Sequence, residues 1–236
     1  MNLELSNSHH KEKKLIRSFG RIKSRKFSDH KNFLFENLMP KYEINNFQDI
    51  VNKVEFSGFV EVFLEIGSGF GDFIFNKSNI NRDKLFIGCE PHLNGLVNIL
   101  SMLENSPLDN ICLYRQDVRL LIDNMADNFL DHIFILFPDP WPKSKHHKRR
   151  LINKNFLDLL AKKVKQEGKI TIATDHDDYK TAIISSINQS DSWYWLAKSS
   201  KDWQEFPLDW VETKYQRKAK IEGRNSVIFE LVKTYK

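Results

Sequence analysis

Val60-Glu61-Val62-Phe63-Leu64-Glu65-Ile66-Gly67-Ser68-Gly69-Phe70-Gly71 settles the architecture of this chain. An apolar run over 60–66 stops at three glycines spaced two apart, and a helical pattern starts over 71–78. A short apolar run closed by a turn signal reads as a buried strand. Glycines at a strand-to-helix turn let the backbone bend tightly and let a ligand approach it closely. Read by itself, the turn is also compatible with a plain tight turn that holds no ligand.

On the C-terminal side of this turn, strand and helix signals alternate. Residues 84–89 read as a strand ended by Glu90-Pro91, with a helix over 93–103; 110–115 is a third strand, succeeded by a short helix over 117–125. A fourth strand over 131–137 runs into a proline loop. Leu151, Phe156, Leu159, Leu160 and Val164 mark an amphipathic helix over 151–164. Strand 169–173, helix 178–187 and strands 193–197 and 227–232 complete the series. This alternation predicts an α/β fold: a seven-stranded, mostly parallel sheet with helices on both faces. Ligands of such sheets bind at the carboxyl ends of the strands, which makes Glu65, Glu90 and Asp117 site candidates.

Composition bounds the function. With 41% hydrophobic and 28% charged residues, the chain is neither disordered nor fibrous. The net charge of +5 is concentrated in three stretches: nine Lys or Arg against Glu12 and Asp29 over 11–31, five with two His over 143–150, and five against Glu222 over 214–224. None is joined to an aliphatic helix face, so the pattern suits a nucleic acid better than a membrane. Residues 1–40 read as a mobile, disordered basic N-terminal arm able to order on a partner, and 41–236 as one domain. Cys89 and Cys112 lie in apolar stretches without metal spacing and read as reduced core thiols. No signal peptide and no apolar run of spanning length is present, so a cytoplasmic protein is expected, as a monomer or homodimer.

A dinucleotide-binding turn would place its third glycine at 72, where this chain has Asp72. An acid there repels a pyrophosphate, which disfavours a nicotinamide dehydrogenase. Gly-x-Gly-x-Gly after an acid resembles instead the turn of S-adenosylmethionine-dependent methyltransferases. Glu90 could then accept both ribose hydroxyls, and Asp117 the adenine amino group; the alternative for Asp117 is a plain helix N-cap.

The loop Phe137-Pro138-Asp139-Pro140-Trp141-Pro142-Lys143 is stiffened by three prolines and leads into Ser144-Lys145-His146-His147-Lys148-Arg149-Arg150. With Glu65-Ile66-Gly67-Ser68-Gly69, Gly88-Cys89-Glu90-Pro91, Thr174-Asp175, Thr213-Lys214-Tyr215-Gln216-Arg217 and Arg17-Ser18-Phe19-Gly20-Arg21, it resembles the tRNA (guanine(46)-N7)-methyltransferase family over most of the chain. The resemblance implies a Rossmann-like methyltransferase domain over 41–236, S-adenosylmethionine as cofactor, tRNA as partner, and methylation of guanine N7 at position 46 in the variable loop. It implies cofactor contacts from Glu65, Gly67, Gly69, Gly71, Glu90, Asp117 and Asp139, with Asp139 at the catalytic position. Lys143, Asp175, Thr213, Lys214, Tyr215 and Gln216 would contact the substrate. Lys145, His146, His147, Lys148, Arg149 and Arg150 would contact RNA. Thr174-Asp175-His176-Asp177 also reads as a helix N-cap. Gln216 departs from the family's usual Glu, offering one acceptor oxygen where a carboxylate would offer two.

Other chemistries fit less well. Adjacent His146 and His147 cannot face one metal, and no Cys or carboxylate stands at ligand spacing, so no metal is expected. Ser144 and His147 lack the orienting acid of a hydrolase. An N6-adenine methyltransferase carries two consecutive prolines in a similar loop, where this chain has Pro140 alone between acid and aromatic. A non-catalytic RNA-binding module would have no need of acids at successive strand ends.

Overall fold

The computed structural model describes residues 27–234. Most of the expected basic arm, residues 1–26, lies outside that range. The end of the arm belongs to the domain: residues 29–42 are helical, with a π-helical turn over Leu34–Leu38, and bury Leu34 and Met39 against the core. Helix α1 (Phe47–Ser57) comes next, started by a reciprocal Asn46–Asp49 capping box and stopped by Gly58 at φ 67°.

The chain then builds β1 (Glu61–Ile66), α2 (Asp72–Ile80), β2 (Lys84–Cys89), α3 (Leu93–Asn105), β3 (Ile111–Tyr114), α4 (Val118–Asn124) and β4 (Leu130–Leu136). After a 3-10 turn at Ser144–Arg149 come α5 (Lys154–Lys163), β5 (Val164–Thr174), α6 (Asp177–Gln189), β6 (Trp193–Trp195), α7 (Lys214–Ile221) and β7 (Val227–Lys233). The seven strands lie in the order β3-β2-β1-β4-β5-β7-β6. The first five in that order are parallel, and β7 is antiparallel to both β5 and β6. The expected mostly parallel seven-stranded sheet is present.

Alternation along the central strands explains the two layers. Val62, Leu64 and Ile66 point into a cluster with Ile122, Leu157 and Ile183 of α4, α5 and α6, whereas Phe63 packs toward the cluster formed by α3 and the helical residues 29–42. Leu64, Ile87, Ile133 and Ile172 are fully buried, each worth about 1.5–3 kcal/mol relative to exposure.

Two boundaries differ from the sequence reading by three residues or more. The helix expected over 151–164 starts at Lys154, because the Asn153 side chain caps the Phe156 amide. Strand β5 starts at Val164 rather than 169, with a register shift opposite Leu130 and His132 and with Glu167 at φ 62°. An irregular strand entry leaves no clean period in the sequence. The strand order reverses between β1 and β4, and the carboxyl ends of these two strands carry the glycine turn and the proline loop. That is the place where such sheets bind ligands.

Candidate active site

A cavity of about 590 Å³ opens over the ends of β1, β2 and β4. It is walled by Gly67, Gly69, Glu90, Asp117, Asp139 and Tyr215, among others. The apolar side chains Ile66, Pro91, Val118, Leu136 and Phe156 face the same space. Its size and mixed lining suit a nucleoside-sized ligand.

The three glycines have different tasks, although all are left-handed, with φ of 78°, 54° and 86° at Gly67, Gly69 and Gly71. A Cβ on Gly67 would meet nothing within 4 Å and would project into the cavity, so this glycine leaves room for a ligand. Gly69 lies beneath Tyr215, where a Cβ would stand 3.0 Å from the ring. Gly71 is not on the cavity wall. A Cβ there would collide with Ile99 of α3 at 2.3 Å, so Gly71 serves helix packing rather than the cofactor contact expected of it.

The acids also divide. Glu90 is 8% exposed at the end of β2, and its two oxygens accept from the Gly69 and His92 amides, each at 2.7 Å. A carboxylate offers about four acceptor positions, so two remain for a ligand's hydroxyls. Burial raises its pKa, the two amides pull it back, and repulsion from Asp139 adds to the rise. Glu65, expected on the wall, instead lies beneath the turn at 4% exposure; burial, then Glu90, pushes its carboxyl up to about 8. Asp117 caps α4 by accepting from the Arg119 amide and also receives Arg119 Nε and Nη2 at 2.8 and 2.6 Å. Burial alone would raise the Asp117 carboxyl, but these bonds lower it. Its capping and pocket roles coexist.

Asp139 stands at the cavity mouth, accessible to solvent, with its carboxyl raised by desolvation from the surrounding loops. Both residues that flank this loop, Phe137 and Trp141, are left-handed at φ 53° and 44°. Bulky residues rarely adopt that conformation, and such strain persists only where neighbours enforce it. Phe137 is held by its amide bond to the Ala173 carbonyl and Trp141 by Arg149 and His146, and Arg150 fastens the loop between them. The Arg150 side chain is 6% exposed; Nε donates to the Pro140 carbonyl at 2.8 Å, Nη2 donates to Asp178, and the guanidinium lies 4.9 Å from the Tyr179 ring centre. Tyr179 Oη in turn accepts from the Ile152 amide at 3.0 Å. Arg150 was expected to face RNA; these bonds turn it into the fold and make it the clasp of the proline loop.

In the rest of the basic run the lysines face outward, whereas His146, His147 and Arg149 are half-buried. Lys143, Lys145 and Lys148 are exposed, and Lys148 and Arg149 reach the cavity rim. The Arg149 guanidinium lies 4.9 Å from the Trp141 ring centre, and His146 meets the same ring edge-on at 5.8 Å. Desolvation, then the charges of Arg149, Lys145, Lys143 and Lys148, lower the His146 pKa. His147 approaches Asp178 at 3.3 Å.

Of the expected substrate residues, only Tyr215 lines the cavity. Asp175 pairs with Arg224 at 2.8 Å, while His176, not Asp175, caps α6. Thr213 caps α7 through the Gln216 amide at 3.2 Å. Gln216 is 3% exposed, and its carbonyl oxygen accepts from Trp210 Nε1 at 2.7 Å, so the fold occupies the acceptor that was expected to meet guanine. Sequence reading missed Gln116, Arg119 and Asn153 on the wall, and also Gly95, where a Cβ would strike the Gly69 carbonyl at 2.2 Å. A glycine inside a helical pattern was the available signal for Gly95. Among the described residues no His, Cys, Asp and Glu cluster could hold a metal ion, and no helix is long and apolar enough to cross a membrane.

The fold is Rossmann-like, and the family match places the chain among the methyltransferases. The family described as "Putative methyltransferase" matches residues 60–230. In fold, the chain is similar to a 16S rRNA (adenine(1408)-N(1))-methyltransferase from Catenulisporales acidiphilia, with a TM-score of 0.56 and 12% identity over 80% of this chain and 91% of that one. A second solved structure, an antibiotic-related methyltransferase, gives a TM-score of 0.54 and 18% identity over 83% and 98%. Relatives in sequence are more specific. A tRNA (guanine-N(7)-)-methyltransferase of Wolbachia pipientis wMel is 41% identical over 83% of this chain and 85% of its own length. Those of Zymomonas mobilis and Hyphomonas neptunium are 33% and 36% identical over 92% and 86% of this chain, and 94% and 93% of their own. The chain belongs to the tRNA (guanine-N7)-methyltransferase family.

Proposed function

We propose that this protein transfers a methyl group from S-adenosylmethionine to N7 of a guanine in tRNA, at position 46 of the variable loop. The observation that carries the reading is the placement of Glu90, the open Gly67 and Asp139 around one cavity bordered by an exposed basic run. The residues present fit the cofactor: Gly67 leaves open space, Glu90 keeps acceptor capacity for ribose hydroxyls, and Ile66, Val118 and Leu136 offer an apolar bed for a base. When bound, S-adenosylmethionine supplies an electrophilic methyl on a sulfonium.

Guanine N7 carries a free lone pair and no proton, so its attack needs no general base. The protein's work is then alignment of N7 with the methyl group, and stabilisation of the positive charge that develops on the base. Asp139 suits the second task as a carboxylate, held in place by Pro138, Pro140 and the Arg150 clasp. Lys145, Lys148 and Arg149 would meet phosphates and set the register of the RNA without reading its sequence. A second groove of about 600 Å³, lined by Lys31, His30, Asn94 and Asn98, shares Phe70 and His92 with the cavity and would continue the RNA path toward the N-terminal segment.

The test is methylation of unmodified tRNA with radiolabelled cofactor, then digestion to nucleosides. Label in 7-methylguanosine is the expected result. Label in N6-methyladenosine, or bound cofactor without transfer, would replace this reading with an adenine methyltransferase or a binding module.

A further inference from the structure

Asp72 occupies the place of a dinucleotide turn's third glycine, yet it is not on the cavity wall. Its carboxylate is directed elsewhere. Oδ2 accepts from the Lys214 backbone amide at 3.2 Å, and Oδ1 from Arg217 Nη2 at 3.1 Å. Lys214 N is one of the amides that the first turn of α7 leaves without an intrahelical acceptor. Asp72 therefore caps a helix 142 residues away in sequence, while Thr213 caps the same helix from within.

Neighbouring residues repeat the attachment. Lys214 Nζ lies 3.7 Å from the centre of the Phe70 ring, and Tyr215 packs on Gly69. The first turn of α7 is thus fastened to residues 69–72 of the glycine turn. Between these fastenings Tyr215 enters the cavity; desolvation raises its pKa, and the charges of Glu90 and Asp139 raise it further, which puts its hydroxyl in the field of both. The Asp72 and Arg217 side chains are 28% and 48% exposed, so their ion pair is worth little as plain stability. Its consequence is orientational.

We propose that Asp72 is a positioning residue that couples the cofactor site to the RNA site. By capping α7 from the glycine turn, it holds Tyr215 between the ribose-side acid Glu90 and the base-side acid Asp139. A filled cofactor cavity and bound tRNA then stabilise each other. The inference rests on the reading of the protein as a cofactor-dependent tRNA methyltransferase. Linkage makes the effect reciprocal: each ligand must tighten the other by the same factor.

Calorimetry with S-adenosylhomocysteine and unmodified tRNA tests it, each titrated with and without the other. Wild-type protein should show the same enhancement in both directions, about 5-fold or more. Asp72→Ala should leave each single-ligand affinity within about threefold and bring the enhancement close to unity, with Asp72→Glu restoring it. A purely structural role would lower Tm and both affinities with the enhancement intact; that result overturns the inference, as does an absence of enhancement in wild type. Wild-type protein that binds neither ligand would overturn the functional reading and this inference with it.

Discussion

Glu65 illustrates how far one side chain can be read from its position. Its place at the end of β1 was legible, but the identical spacing serves an acid on the cavity wall or one beneath it, and only packing decides. Its carboxyl, pushed up to about 8 by burial, stays protonated in the folded state while the unfolded chain ionises near 4.5. Between those values the unfolded state binds fewer protons, so stability falls as pH rises from about 4.5 to about 8. Glu65→Gln should match wild type in Tm near pH 4 and exceed it near pH 9; a pH-independent difference would contradict this assignment. At Asp139 a different readout applies. Asp139→Asn keeps shape and removes charge, and should lower single-turnover methyl transfer by about 10²–10³-fold, while tRNA affinity measured by filter binding changes little. The acid limb of the wild-type rate should lie above the ordinary aspartate range, because desolvation raises this carboxyl, and should vanish in the variant. Equal losses in rate and affinity would make Asp139 a binding residue only. Gln216 marks the limit of residue-level reading: its departure from the family's Glu was visible in sequence, but its bond to Trp210 was not.

Among the elements, the proline loop was the most legible segment, since three prolines exclude helix and strand without reference to anything distant. The basic run after the loop was legible as a charge pattern but not in its orientation. Basic and His residues in succession do not say which way a 3-10 turn will face, and the last of them, Arg150, turns inward to the Pro140 carbonyl and Asp178. Asp178 lies on α6, and no local pattern announces a contact 28 residues away. Loss of that clasp should cost about 1.5–3 kcal/mol, the range for a charge-assisted hydrogen bond, because Asp178 remains half-exposed and keeps some solvation. Arg150→Met should therefore lower urea-unfolding stability by that amount and reduce kcat more than the salt dependence of tRNA binding. An outward-facing phosphate contact would give the opposite pattern: a shallower salt slope and unchanged stability.

For the molecule as a unit, the order of strands was not written in any one motif, yet strand–helix alternation restricted it to parallel βαβ units, and the switch between β1 and β4 results from that topology. The antiparallel β7 inserted beside β5 was not legible, because pairing partners distant in sequence leave no local signal. The same topology gathers the glycine turn, Glu90 and the proline loop at one end of the sheet, with two basic stretches around them. Under the proposed function, this is the end of the molecule that would deliver a methyl group to a guanine nitrogen that bears no proton. Two tRNA transcripts that differ at one atom provide the decisive test: one with guanine at position 46, one with 7-deazaguanine there. Transfer of labelled methyl to the first and none to the second, with equal binding of both, is the predicted result. Equal methylation of the two would contradict it, because the acceptor could not then be N7.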